Sequence, residues 1–344
     1  MALSKEQIHQ ARDHLDNCKR PLFFFDDDQD GLCSFLQLYR YKGEGKGIIV
    51  KTTPKLGTAF VRKVEEYSPD KIFILDLAIV EQEFLDEMKV PVVWIDHHGP
   101  FERNNVKYFN PRVSKWEDNH PTSFMCHQIV GQDLWLAAVG SVADWFMPPF
   151  LNEFKNKYPE LLETHKSPGD IIYNTKLGHL IRIFSFILKG KNEDVMKSIK
   201  VMSRISGPYE ILNRETSQGK FIYKRYEQAN KIYEPLIKDV LNKAKKTSDK
   251  LVFFAYKDDK TSFTSDLSNE AIYRFPEKII LIGREKNEEM KCSLRSSKLI
   301  LPPLVEKCLV GLEGYGGGHE NACGLNIKTR DFDEFLQRLS ELIK

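Results

Sequence analysis

The chain has 344 residues, enough for two domains, since one domain usually takes about 100–200 residues. Its 51 Lys and Arg nearly balance its 49 Asp and Glu, so the formal net charge is only +2. Overall charge therefore identifies neither a nucleic-acid partner nor a membrane surface, and any such partner must be recognised by a local patch.

The cysteines and the apolar stretches point away from secreted and membrane proteins. The six cysteines are scattered and form no CxxC pair, which argues against a zinc ribbon and a disulfide framework. The N-terminal MALSKEQIHQARDHL turns polar at once, and the longest apolar stretch, LIRIFSFIL at 180–188, is about half of a membrane span. We therefore expect reduced thiols, no membrane partner and a cytoplasmic location.

Helix-like and strand-like segments alternate over the first hundred residues. Ser4 and Gln7 have the spacing of a capping box, which predicts a helix to about Cys18, and PLFFF at 21–25 then predicts a strand. Helix-like pieces at 59–67 and 81–88 separate three further β-rich runs, IIVKTT (48–53), KIFILD (71–76) and VVWID (92–96). This alternation predicts an α/β fold with a mostly parallel sheet covered by helices.

The rest of the chain divides into a helical region and a second α/β region. The pattern is helical from about 121 to 246, and KAKKTSDK at 243–250 predicts a linker. Strand character resumes in LVFFAYKD, KIILIGRE and KCSLRSS. We therefore predict three regions, 1–150, 151–250 and 251–344, of which the last is a smaller α/β domain.

Carboxylates gather where the predicted strands end. DDDQDG at 26–31 follows PLFFF directly, and Asp76 and Asp96 end two later strands. Ligands of open α/β sheets bind at this edge. A single Asp after a strand is usually a helix cap, but four acids in five positions repel one another and lose hydration unless cations bind them. The sequence therefore predicts a metal site.

The donor types indicate which metal this site takes. The groups that carry the candidate chemistry are DDDQDG, Asp76, Asp96-His97-His98 and Asp144 in LAAVGSVADW. Carboxylate oxygens and imidazole nitrogens suit Mn²⁺ or Mg²⁺, and the lack of clustered thiols argues against a sulfur-rich zinc site. Two such ions can activate a water and clamp the attacking and leaving oxygens of a phosphoryl transfer.

This order of motifs resembles the DHH phosphoesterase superfamily. CSLRSS (292–297) and GYGGGHENACG (314–324) resemble the Arg and GGGH elements of its DHHA1 domain, so the resemblance spans about residues 20–335. It implies an α/β chain with a parallel-sheet DHH catalytic domain (1–150), a helical extension and linker (151–250) and a smaller DHHA1 substrate-binding domain (251–344) across a cleft.

The first motif, Asp26-x-Asp28-x-Asp30-Gly31, is similar to the DxDxDG of the RecJ-like branch, whose short archaeal members share this architecture. Phosphodiesterases of short oligonucleotides and cyclic dinucleotides more often carry a His four residues before the middle Asp, where this chain has Phe24. The first metal position therefore lacks a nitrogen ligand. We expect Asp26 or water to replace that ligand, or the ion to bind weakly.

The resemblance also implies a role for each residue of the motifs. Asp28 and Asp76 would hold one ion, and the second ion would be held by Asp30, Asp76, His97 and Asp144. Asp96 would orient a histidine, and His98 would face the scissile phosphate. In the second domain, the substrate phosphate would bind to Arg295, Gly316, Gly317, Gly318 and His319. A flexible turn is the alternative reading of the three glycines.

The function implied is that of a RecJ-like, metal-dependent exonuclease that releases nucleotides from an end of single-stranded DNA or RNA. A phosphodiesterase of very short RNA or cyclic dinucleotides is one alternative, and a non-catalytic replication scaffold is another. Family members that act beside replication or repair factors make a helicase a candidate partner. The basic segment 220–250, with nine Lys or Arg against four Asp or Glu, either tracks nucleic acid or packs its aromatic residues on the domains.

Overall fold

The computed structural model describes residues 2–51, 55–163, 166–257 and 261–343, which form two compact units. Unit 1 comprises Met1–Leu188 and Asn192–Tyr226, and unit 2 comprises Lys189–Lys191 and Glu227–Lys344. The α/β fold class is confirmed, because unit 1 contains a parallel sheet and unit 2 a smaller sheet of its own. The functional domains 1–150, 151–250 and 251–344 stay predictions.

Unit 1 is built on a five-stranded sheet in which every neighbouring pair is parallel. The strand order is β2-β1-β4-β6-β7, and β3 and β5 form a separate parallel pair. The strands are β1 (Pro21–Asp26), β2 (Lys46–Val50), β3 (Lys55–Leu56), β4 (Lys71–Leu75), β5 (Ile79–Val80), β6 (Val92–Ile95) and β7 (Lys107–Phe109).

The strands match the apolar runs of the sequence with two differences. Strand β2 starts two residues earlier than IIVKTT, whose last two residues lie outside the described ranges. The sequence pattern missed β7, because three residues give too short a period to detect. Alternate residues of the central strands face opposite sides: Phe24 packs edge-on against Phe60 and Phe84, whereas Phe25 stacks on Phe35.

Helices cover this sheet and continue beyond it. The predicted capping box is present, since Ser4 accepts a hydrogen bond from the Gln7 N–H at the start of α1. The helices are α1 (Lys5–Asp16), α2 (Gln29–Lys42), α3 (Val61–Tyr67), α4 (Gln82–Asp86), α5 (Thr122–Val130), α6 (Leu134–Ala143), α7 (Leu151–Lys157), α8 (Pro168–Asn174), α9 (Lys176–Ile187), α10 (Asn192–Met202) and α11 (Pro208–Leu212). Among the described residues, no helix is both long enough and apolar enough to cross a bilayer.

A 30-residue helix, α12 (Ser217–Lys246), runs from unit 1 into unit 2. The aromatic residues of its first half pack inward, because Tyr226 stacks on Phe186 and Tyr223 lies 3.9 Å from the Arg214 guanidinium. Tyr233 in its second half is buried and donates a hydrogen bond to Glu270. These contacts favour the packing alternative over base stacking for the basic segment.

Unit 2 contains a mixed five-stranded sheet in the order β11-β12-β10-β9-β8. Only β8 and β9 are parallel, and the other pairs are antiparallel. The strands are β8 (Leu251–Lys257), β9 (Ile279–Lys286), β10 (Glu289–Ser296), β11 (Gly314–His319) and β12 (Ala322–Lys328). Its other helices are α13 (Thr264–Arg274), α14 (Pro302–Leu309) and α15 (Thr329–Leu342).

Candidate metal centre

The acidic stretch DDDQDG turns the end of β1 into the start of α2. Asp26 is the last residue of β1, and Asp28 caps α2 by accepting a hydrogen bond of 2.9 Å from the Gly31 N–H. At position 31 a Cβ would lie 2.7 Å from the Asp26 carbonyl oxygen, so only glycine lets the helix approach the strand this closely. This approach brings the carboxylates of the strand end and of the first helical turn together.

Neighbouring strands bring two more acids to the same edge. Asp76 follows β4 and Asp96 follows β6, and both strands run parallel to β1 in adjacent positions of the sheet. Asp76 has a φ of 61°, in the left-handed region that few residues other than glycine adopt. Such strain is typical of residues whose side chain must be held in one direction for function.

The start of α5 holds Asp30 in place. The Thr122 N–H donates to one Asp30 oxygen at 2.7 Å and the Ser123 N–H donates to the other at 2.9 Å. The Thr122 hydroxyl also donates to Asp76 at 3.0 Å. The two bonds to Asp30 join residues 92 and 93 apart in the chain and the bond to Asp76 joins residues 46 apart, and no motif in the sequence indicated Thr122 or Ser123 as part of the site.

Asp144 comes to the site from the end of α6, where it is the C-terminal cap residue. The helix packs closely on its neighbours at Gly140, where a Cβ would lie 2.4 Å from the Ser123 hydroxyl oxygen and 2.9 Å from the Cys33 Cβ. Asp144 retains 35% side-chain exposure, whereas the side chains of its neighbours Asp76 and His97 are 2% and 12% exposed.

Three sets of side chains converge closely enough for their donor atoms to share a metal ion. In each set, the candidate ligand atoms lie within 4.8 Å of one another. The sets are Asp26, Asp28 and Asp76; Asp30, His97 and Asp144; and Asp76, His97 and His98. Asp76 and His97 each belong to two sets, so the sets form one continuous centre.

The protonation of the carboxylates reflects their crowding. Burial and the neighbouring Asp28 raise the pKa of Asp26 to about 8. Burial, followed by repulsion from Asp30, raises the pKa of Asp28, Asp76 and Asp144 as well. A bound cation would remove this penalty, because it replaces mutual repulsion by attraction. The donor set therefore fits a hard divalent cation.

His97 and His98 have opposite electrostatic properties although they are adjacent. Burial and the nearby His98 lower the pKa of His97 to about 4, which leaves its imidazole neutral and able to ligate a metal. Its Nε2 lies 3.5 Å from Asp76 and 3.7 Å from Asp144, and its buried Nδ1 has no hydrogen-bond partner among the described residues. His97 is thus available as a ligand.

Asp96 orients His98 rather than His97. It is fully buried, and its Oδ1 lies 2.8 Å from the His98 Nδ1. Burial lowers the pKa of His98, but this bond and the charge of Asp96 outweigh it and raise the pKa to about 9, so His98 is a cation at neutral pH. The sequence left open which histidine Asp96 contacts, and the structure places it on His98.

A second layer of side chains that the sequence did not indicate supports this histidine pair. The Asn110 amide donates to Asp96 at 3.3 Å and to the His98 carbonyl at 2.9 Å, and the Tyr108 hydroxyl donates to Asp96 at 3.3 Å. Asn110 also accepts a bond of 2.9 Å from the Arg112 N–H. The order Asn-Pro-Arg after the DHH triplet was the signal that could have indicated these residues, but it contains no candidate metal ligand.

Phe24, just before the acidic stretch, and Asp27, within it, both lie outside the three ligand sets. Phe24 is fully buried in the apolar core, and the set that contains Asp28 consists only of carboxylates, with Asp26 as its third member. Asp27 faces Lys51 at 3.4 Å. The prediction that Asp26 replaces a missing nitrogen ligand therefore remains consistent with the geometry.

In unit 2, Arg295 and His319 occupy one row of the sheet. Both pair with Ala322, Arg295 from β10 and His319 from β11. Residues directly opposite each other in antiparallel strands point to the same face, so the two side chains share a face on either side of β12. The Arg295 guanidinium is held in place by Asn269, at 2.6 Å, and by the Cys323 carbonyl, at 3.3 Å.

The three glycines form an exposed edge strand rather than a turn. Gly316 permits close packing, since a Cβ there would lie 2.9 Å from Val305, and Gly318 has a φ of 149°. Close packing does not explain the glycine at position 317, because a Cβ there would meet nothing within 4 Å. The backbone of β11 is therefore accessible along the outer edge of the sheet, next to the row that holds His319.

A comparison with protein-family models matches part of unit 2. Residues 263–344 match the family model of the DHHA1 domain. A comparison with curated protein sequences gave no match.

Solved structures match almost the whole chain. RecJ from Thermus thermophilus in complex with Mn²⁺ has a TM-score of 0.70 at 16% identity and covers 99% of this chain, which spans 55% of that RecJ. A second RecJ structure, described as an exonuclease bound to manganese, gives 0.64 at 16% identity and covers 99% of this chain and 95% of its own. A pGpG-specific phosphodiesterase from Vibrio cholerae gives 0.50 at 14% identity and covers 94% of this chain and 99% of its own. These likenesses confirm that the chain has the fold of RecJ, and the family model confirms the predicted DHHA1 domain over residues 263–344.

Proposed function

We propose that this chain, a DHH–DHHA1 protein with the fold of RecJ, is a two-metal phosphodiesterase that removes nucleotides from an end of single-stranded DNA or RNA. The observation that carries the proposal is the overlap of the three ligand sets, which share Asp76 and His97. Two cations held by shared ligands can stabilise both the attacking and the leaving oxygen of phosphodiester hydrolysis, and no separate Ser or Cys nucleophile is then needed.

Each residue of the centre has a distinct task in this proposal. Mn²⁺ or Mg²⁺ would be held in one position by Asp26, Asp28 and Asp76, and in the other by Asp30, Asp76, His97 and Asp144. When bound, the two cations lower the pKa of water and neutralise charge on the phosphate. His98, held by Asp96, places a positive charge beside the substrate phosphate, and its Nε2–H donates a hydrogen bond to an oxygen.

Unit 2 would bind the substrate away from the bond that is cleaved. Arg295 and His319 point to one face of the sheet, where a guanidinium fork and an imidazole can bind a phosphate together. Alternate N–H groups along Gly316–Gly318 point away from β12 and would add uncharged donors at the outer edge of the sheet. A replication or repair factor such as a helicase stays a predicted partner.

The decisive experiment is digestion of single-stranded DNA and RNA labelled at the 5′ or the 3′ end, with Mn²⁺, Mg²⁺ or EDTA. We expect metal-dependent release of nucleotides from one end, and product lengths give the polarity. The double variant Asp30→Ala, His97→Ala should be inactive. Asp27→Asn is the matched control in the same loop and should retain activity, because Asp27 pairs with Lys51. Cleavage that persists in the double variant would indicate a contaminant and would favour the scaffold alternative.

A phosphodiesterase of dinucleotides is the second candidate. It is supported by the near-complete mutual coverage with the pGpG-specific enzyme of Vibrio cholerae. Cleavage of a linear or cyclic dinucleotide by a protein that leaves longer strands intact would favour this candidate over the exonuclease.

A further inference from the structure

Two exposed tryptophans lie beside the metal centre. Of the four tryptophans, Trp94 and Trp135 are buried with 0% and 2% exposure, whereas Trp116 and Trp145 are 62% and 44% exposed. Single exposed apolar residues are common on protein surfaces, so exposure alone indicates nothing. The position of Trp116 relative to the DHH triplet distinguishes it.

Trp116 lies over the residue that follows the triplet and against an arginine. The outer edge of its indole, Cη2, is 3.8 Å from where a Cβ of Gly99 would be, and Gly99 follows His98. The guanidinium carbon of Arg112 is 5.7 Å from the centre of the Trp116 ring. Indole and guanidinium therefore form a pair that borders the histidines of the centre.

Arg112 acts on the centre through its charge, which opposes the rise in the pKa of Asp144, but it forms no ion pair among the described residues. Its backbone N–H donates a hydrogen bond to the side-chain oxygen of Asn110, whose amide donates to the His98 carbonyl and to Asp96. Across the described part of the chain, no carboxylate forms an ion pair with Arg112, and its buried Nε has no hydrogen-bond partner. A guanidinium that borders the centre without forming an ion pair is suited to receive an anion from outside the chain.

We propose that Arg112 and Trp116 form a nucleotide subsite: the Arg112 fork binds a phosphate adjacent to the scissile one, and the Trp116 indole stacks on the base of that nucleotide. This inference rests on the proposed function, since it assigns the substrate of the same centre. Arg forms bidentate bonds with phosphate, and an indole stacks on any base, so the subsite holds a strand without reading its sequence.

A kinetic test compares substrates with and without the base. On an ordinary single-stranded oligonucleotide, Trp116→Ala should raise KM about tenfold and leave kcat nearly unchanged, because the lost contact holds the substrate rather than the reacting atoms. On an oligonucleotide whose nucleotides at the cleaved end lack the base, the same variant should match the wild type. Val113→Ala is the matched control, since Val113 is 66% exposed in the same turn but has no ring. A Trp116→Ala effect of equal size on both substrates, or none on the ordinary one, would overturn the proposal.

A binding test does not depend on cleavage. In the Trp145→Phe protein, Trp116 is the remaining exposed tryptophan. The probe is a phosphorothioate oligonucleotide, which resists cleavage. Quenching of tryptophan fluorescence by this oligonucleotide therefore reports on Trp116. We expect quenching that disappears in the double variant Trp145→Phe, Trp116→Phe and that weakens in Trp145→Phe, Arg112→Ala. Quenching without any wild-type cleavage would refute the exonuclease and leave the subsite standing. Wild-type cleavage without quenching in the Trp145→Phe protein would refute the subsite alone.

Discussion

Replacing Gly31 with alanine should weaken unit 1 and its metal centre together. A Cβ at this position would lie 2.7 Å from the carbonyl oxygen and 2.8 Å from the amide nitrogen of Asp26. Both atoms belong to the backbone of β1, so they cannot rotate away as a side chain would. Helix α2 must therefore move from the strand end by about 0.7 Å to restore an ordinary contact of 3.4 Å.

The size of the effect follows from two opposing terms. Overpacking costs about 1–3 kcal/mol, and the upper end applies here because backbone atoms are involved. Alanine regains about 1 kcal/mol over glycine within a helix, which leaves a net loss of about 2 kcal/mol in the free energy of unfolding. In a unit of this size, that loss lowers Tm by about 4–8 °C. Because Asp28 and Asp30 move with α2 while Asp26 stays on β1, Mn²⁺ affinity should fall about tenfold.

Thermal unfolding and calorimetric titration with Mn²⁺ measure both effects. Gly207→Ala is the control, since a Cβ there meets nothing within 4 Å and the backbone is extended, with φ −174° and ψ 174°. This control should change stability by less than about 0.5 kcal/mol. If Gly31→Ala kept the wild-type Tm and Mn²⁺ affinity, the close approach of α2 to β1 would not be what assembles the carboxylates.

Three further predictions concern protonation. Burial and Asp28 raise the pKa of Asp26 from 3.8 to about 8, so the protonated carboxyl stabilises the folded, metal-free protein at low pH. This stability is lost as pH rises through about 8, and the increase in Tm on adding Mn²⁺ should therefore grow from pH 5 to pH 8.5. In metal-free protein, Asp96→Asn should lower the pKa of His98 from about 9 toward its ordinary value, as NMR titration of the imidazole would reveal, and an unchanged pKa would contradict the assigned contact. Burial raises the pKa of all six cysteine thiols, so a thiol reagent at neutral pH should label none of them in the native protein and all six after denaturation.

Much of unit 1 could be predicted from its sequence because buried parallel strands leave a local signal. The apolar runs that became β1, β4 and β6 are continuous and end in Asp26, Asp76 and Asp96, so the strand edge and its acids are found together. The prediction of Mn²⁺ or Mg²⁺ rests on donor chemistry alone. By contrast, β7 is too short to detect, and the glycines of β11 lack the side chains from which a strand is usually predicted.

The candidate metal ligands and the fold that presents them could be predicted from the chain, because residue type and strand period are local properties. How those residues are held, and what else borders them, depends on tertiary packing. The bonds from Thr122 and Ser123 to Asp30, the choice of His98 by Asp96, and the position of Trp116 over Gly99 depend on contacts between distant elements. Such contacts are set by how helices and strands pack, and they leave no periodic trace in the chain.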